Sequence, residues 1–111
     1  MAFTSTMDVT NGVAKITLVG ELDAASAGVF RDQINDAATQ GIMKLVLLMA
    51  DLNYMASAGL RALVFAKQKM GSASDIFVIA AQESVQETLE LTGFAGSVIS
   101  LPAYDAAQIE G

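Results

Sequence analysis

The hydrophobic period of the chain changes several times, and each change marks an element. Phe3 to Val9 alternates loosely between apolar and polar residues, Asn11-Gly12 is a strong turn dipeptide, and Val13 to Val19 follows with Val13, Ile16, Leu18 and Val19 apolar. Two strands joined as a hairpin are expected. Gly20-Glu21-Leu22-Asp23 is expected to break the second strand. From Ala24 to Gln40 the period lengthens: Ala27, Phe30, Ile34 and Ala38 recur at helical spacing, and Gly41 stops the run. Gly28 inside this helix costs about 1 kcal/mol relative to alanine.

Lys44 to Ala50 is almost continuously apolar, the mark of a strand covered on both faces. Asp51 to Ala56 reads as a connecting loop, and a second helix is expected over Ser57 to Met70, with Leu60, Leu63, Val64 and Lys67 on one stripe and Gly71 at its end. Asp75 to Ala80 is a further buried strand. A third helix spans Ser84 to Thr92 before Gly93, where Ser84 and Glu87 have capping-box spacing. Val98-Ile99 adds a short strand, and Tyr104 to Ile109 a terminal helix after Pro102. The order predicts one α/β domain over residues 1–111, with a mixed sheet of four to five strands and about four helices packed on it. In such sheets, functional loops lie beyond the carboxyl ends of the parallel strands. Here these are Gly20–Asp23 and Asp51–Ser57.

Composition narrows the chemistry. Among 111 residues there is neither Cys nor His, which removes thiol nucleophiles, thiolate metal sites, the commonest general base and any Ser-His-Asp triad. No convergent acid or lysine arrangement replaces them, so no enzyme activity and no cofactor or metal is expected. The net charge of −6 repels phosphate backbones and anionic lipid, which argues against nucleic acid and membrane as partners. No apolar run approaches the roughly 18–20 residues of a membrane helix. The first six residues lack a cationic start followed by an apolar stretch, so a cytoplasmic protein is expected.

Ser57 is the leading candidate residue. As plain structure it would cap the second helix. As function, a phosphate on it would face free N–H groups and the positive end of the helix dipole. Arg61 lies one turn further along the same face and could hydrogen-bond such a phosphate, or be a solvated surface arginine. Asp23 and Asp51 end the two loops; they would cap the first helix and satisfy turn N–H groups, or present charge to a partner. Gly59 in the first helical turn is costly unless something approaches closely there. Met55, Ala56, Ala58, Gly59 and Leu60 would surround Ser57 with small and apolar residues, suited either to docking or to tight helix packing.

Four landmarks together resemble the STAS domain family: Gly20-Glu21-Leu22-Asp23, Asp51-Leu52, Ser57-Ala58-Gly59-Leu60-Arg61 and Leu89-Glu90-Leu91-Thr92-Gly93-Phe94. Their order and spacing cover essentially the whole chain. The resemblance implies a bacterial anti-sigma factor antagonist. Such a domain binds a serine-protein kinase that is also an anti-sigma factor, loses that binding when phosphorylated at the helix start, and is restored by a PP2C-type phosphatase. Where familiar members carry an acid, two hydroxyl residues and Gly, this chain has Ala56, Ser57, Ala58 and Gly59, which leaves Ser57 as the phosphoacceptor. Related stand-alone domains serve as accessory subunits of transport ATPases or as small-ligand sensors, and both readings stay open. A monomer is expected.

Overall fold

The computed structural model describes residues 3–71 and 74–110. Met1, Ala2 and Gly111, the ends of the expected domain, lie outside the described residues. The Asn11-Gly12 turn has φ of +52° and +77°, the two left-handed residues of a tight primed hairpin turn. It joins β1 (Thr4–Thr10) to β2 (Val13–Leu22) in antiparallel register, with Thr10 opposite Val13. The expected break at Gly20 does not occur. Gly20, at φ +96° beside a register shift, bends the strand, and pairing continues to Leu22.

Helix α1 (Ala27–Thr39) begins three residues later than its periodicity suggested. Strand β3 (Lys44–Met55) runs parallel to β2 and absorbs the segment expected as a loop. Its polar run Asp51-Leu52-Asn53-Tyr54 stays extended because both edges are served. One edge pairs with β2 as far as Leu22 opposite Met55. On the other, Gln82 Nε2 donates to the Ala50 carbonyl at 2.9 Å, and Ser84 Oγ to the Asn53 carbonyl at 3.2 Å. Ser84 therefore ties the strand rather than capping α3 (Glu83–Leu91), whose N-cap position is Gln82.

After α2 (Ser57–Met70) come β4 (Asp75–Ile79), α3, a 3-10 turn at Phe94–Ser97, β5 (Ile99–Leu101) and α4 (Ala106–Glu110). The sheet order is β1-β2-β3-β4-β5, with β1 antiparallel and the other four parallel. Five strands and four helices fit the mixed α/β sheet expected. One face packs Ile16, Leu45, Leu47, Ile76 and Val78 against Phe30 and Ile34 of α1, Leu63 and Ala66 of α2, and Val85 and Leu89 of α3. The other face carries Val13, Val46, Phe77 and Ile79, and α4 closes it through Ile109. That second cover is partial: Leu48 is half-buried and Ala50 exposed, so β3 is not covered on both faces along its length.

The buried stripe of α2 is also rotated from the one its large residues suggested. Gly59, Ala62, Leu63 and Ala66 face the core, whereas Val64 is 38% exposed. Small residues win because α2 lies close against its neighbours. A Cβ at Gly59 would stand 2.7 Å from Leu22 Cγ and 3.0 Å from Met55 Cγ. Gly59→Ala should therefore destabilise by about 1–3 kcal/mol through overpacking, more than the helix propensity of alanine returns. Urea unfolding of the variant checks this, and a higher midpoint would contradict the close approach.

Candidate functional site

The carboxyl ends of β2 and β3 stay hydrogen-bonded up to the start of α2. The Ala56 N–H donates to the Leu22 carbonyl at 2.8 Å. Ala56, extended at φ −77° and ψ 168°, takes the N-cap position, and Ser57 is the first helical residue. Ser57 is thus not the cap that its residue type suggested. Alanine offers no oxygen, so no side chain caps the helix, and its first turn contains no acid. The positive end of α2 is left to solvent. The Ser57 side chain is exposed there, and no hydrogen bond engages its hydroxyl among the described residues.

The other sequence candidates separate into three groups. Ala56, Ala58 and Leu60 are half-buried and Arg61 is exposed, so these flank Ser57 on the accessible side of the helix start. Met55, 3% exposed, and Gly59 are buried; they shape the surface from beneath. Asp51 is exposed but sits within β3, level with Val19. Met55 lies four positions further along the strand, a span of about 13 Å, so Asp51 ends no loop and stands apart from Ser57. Tyr54, 51% exposed, lies nearer the helix start.

Asp23 is held by Ser26 in a reciprocal box that the helical spacing did not reveal. The Asp23 N–H donates to Ser26 Oγ at 2.9 Å, and the Ser26 N–H donates to Asp23 Oδ1 at 2.9 Å. The Ser26 hydroxyl lies 2.8 Å from the same carboxylate oxygen. This box, together with the Ala27 N–H on the Asp23 carbonyl at 3.0 Å, turns residues 23–26 and delays the start of α1. Asp23 therefore organises the turn ahead of the helix, while Ser26 stands at the N-cap position. The hydrogen bonds from Ser26, side chain first and backbone second, hold the Asp23 carboxyl below its ordinary value.

Among the described residues, no group of three or more acids could hold a metal ion. Among the described residues no helix is long and apolar enough to cross a membrane. The site can present a nucleophilic hydroxyl to another protein's chemistry, with a positively charged arginine one turn away. Sequence reading missed Ser26 and Gln82. The Asp-x-x-Ser spacing at Asp23 and Ser26 carried a signal for the first of these. The second acts on a strand distant in sequence.

The sequence profile of the STAS domain family matches residues 4–107, and the chain belongs to that family. Among its relatives is RsfB of Mycobacterium tuberculosis, described as an anti-sigma-F factor antagonist, 25% identical over 83 residues that cover 75% of this chain and 68% of RsfB. BtrV of Bordetella bronchiseptica, described as a candidate anti-sigma factor antagonist, is 30% identical over 90 residues, 80% of this chain and 78% of BtrV. The fold matches the crystal structure of an anti-sigma factor antagonist from Mycobacterium paratuberculosis with a TM-score of 0.88 at 20% identity, over 99% of this chain and 96% of that one. It also matches the Bacillus cell fate determinant SpoIIAA in its phosphorylated form, with a TM-score of 0.72 at 22% identity, over 98% and 97% of the two chains.

The Asp23–Ser26 box has a checkable consequence for stability. A carboxyl whose folded value is depressed stabilises the native state above its unfolded value and loses that contribution as pH falls through the folded one. Asp23→Ala should lower the urea midpoint at neutral pH. The gap from wild type should shrink as pH drops below the ordinary carboxylate value of 3.8. A gap that is constant with pH would mean that the charge of Asp23 plays no part.

Proposed function

We propose that this protein is an anti-sigma factor antagonist that works by partner switching, with Ser57 as the phosphoacceptor. The observation that carries the reading is a solvent-exposed Ser57 hydroxyl at the uncapped first turn of α2. Relatives described as anti-sigma factor antagonists support the partner class, and the fold carries a phosphorylated form in SpoIIAA. In the unmodified state, Ala56, Ser57, Ala58, Leu60 and Arg61, with Asp23 beside them, dock on a serine kinase that is also an anti-sigma factor. The sigma factor is thereby released. The protein would act in the cytoplasm, where its partners are.

The kinase transfers the γ-phosphoryl of ATP to Ser57 Oγ; the hydroxyl proton leaves to a kinase base and ADP is released. A PP2C-type phosphatase reverses the step by hydrolysis. The phosphate adds about −1.5 to −2 charge. At the first position of a helix that charge is compatible with the fold, because the N-terminal amides and dipole favour it. In a docked interface the same group demands hydration and displaces close contacts. The chain needs no catalytic group for this cycle: it is the substrate and the docking surface.

Incubation with ATP and each candidate anti-sigma kinase of the same organism, followed by intact-mass measurement, tests the assignment. Wild type should gain one phosphoryl group and Ser57→Ala none. Ser57→Glu should bind the kinase about tenfold or more weakly while unfolding at a similar temperature. A phosphoryl group retained on Ser57→Ala would move the acceptor elsewhere.

A further inference from the structure

Helices α1 and α2 do not close completely at their N-terminal ends. A cavity of about 270 Å³ lies between them, lined by Ala27, Gly28 and Arg31 of α1 and by Ala58, Arg61 and Ala62 of α2. Ala58 follows Ser57 directly, so this trough opens onto the face described above. Four of its six walls are Ala or Gly, and the other two are arginines.

The charge of the trough is opposite to that of the protein. The chain has twelve acids against six bases. Lys15 pairs with Glu110 at 3.6 Å, Lys44 donates to the Ile109 carbonyl, and Lys67 donates to the Ser74 carbonyl at 3.1 Å. Arg31 lies over the Phe65 ring, 4.4 Å from its centroid, which fixes the guanidinium without neutralising it. Among the described residues neither Arg31 nor Arg61 makes an ion pair. An acidic protein has placed on one small cavity two guanidinium groups that form no ion pair among the described residues.

Gly28 supplies an independent observation. It is the second residue of α1, where alanine has the higher helix propensity. Its φ is not in the left-handed range, and a Cβ built on it would meet nothing within 4 Å. Neither backbone conformation nor packing asks for glycine there, in contrast to Gly59, whose missing side chain is filled by Leu22. On the wall of the trough, the missing side chain leaves room for an atom from outside the chain.

We infer that the α1–α2 trough is a receptor for a carboxylate side chain of the anti-sigma partner, which enters against Gly28 and is bound by Arg31 and Arg61. The inference rests on the antagonist reading above and gives its docking face a specific anchor. Guanidinium groups match a carboxylate in geometry and charge. The small walls let an Asp or Glu side chain enter, where exclusion of water strengthens the pair. A phosphate on Ser57, one turn from Arg61, would compete for the same arginine.

The test measures affinity for the kinase identified by the phosphorylation assay. Gly28→Leu puts a bulky side chain on the wall of the trough, at a position where a Cβ meets nothing within 4 Å. It should melt at or above the wild-type temperature and bind about tenfold or more weakly. Arg31→Glu/Arg61→Glu should also bind about tenfold or more weakly, and wild-type binding should weaken between about 50 and 500 mM NaCl while that of the double variant does not. Lys69→Glu on the exposed face of the same helix should change affinity by less than about threefold. If Ser57→Glu breaks the complex while Gly28→Leu and the arginine pair leave it intact, the trough is not the anchor and the antagonist reading stands. If none of the variants changes binding, both fall. Equal weakening by Lys69→Glu would mean a general field rather than a receptor, and overturns the inference. So would a change in the sedimentation of the chain alone on reversing the arginine pair, which would assign the trough to a second copy.

Discussion

Everything at the functional end of this molecule depends on β2 and β3 remaining paired past the length that their apolar runs would support. Leu22 is level with Met55, and the Ala56 amide bonds the Leu22 carbonyl at 2.8 Å. That last bond fixes where the chain leaves the sheet and hence where α2 begins. Gly59, in the first turn of the helix, then rests on Leu22 and Met55 with no space for a methyl group. Strand pairing and helix seating thus meet on the same two side chains. Ser57 lies between these restraints without taking part in either. Its backbone is held from both sides while its hydroxyl is left to solvent, an arrangement suited to a group that must change chemically without disturbing its support.

Much of this was legible in the sequence, for identifiable reasons. The hairpin followed from Asn11-Gly12 because few other dipeptides tolerate two positive φ values. Strands β3 and β4 and helices α1 and α2 announced themselves through apolar runs or helical spacing, signals that burial imposes directly. The strand extensions were hidden. Gly20 and the polar segment 51–54 carry the local composition of loops, and they are extended only because distant partners complete their hydrogen bonds. The end of α2 could be read from Gly71, whereas its buried stripe could not. Spacing marked the large apolar residues, but close approach to the sheet selected the small ones.

The candidate site shows the same division. Ser57 at a helix start, with Arg61 one turn on, is a local pattern, and the structure leaves both exposed. Asp51 and Asp23 looked equivalent as residues that follow strands. One is locked into a turn by Ser26, and the other lies within a strand away from Ser57. Gly28 appeared only as a defect in helix propensity. Its meaning depends on the empty space beside it and on Arg31 and Arg61 arriving from two different helices.

The strand order β1-β2-β3-β4-β5 follows the order of the chain without a single inversion. Each new strand therefore adds to the edge left by the one before it, and no gap must be kept open for a segment still to come. A chain emerging from the ribosome amino terminus first can assemble in the direction of its synthesis, each strand after the hairpin closing one helical crossover onto the strand before it. The hairpin comes first in the chain, and the first complete βαβ unit already contains the two strand ends from which α2 departs.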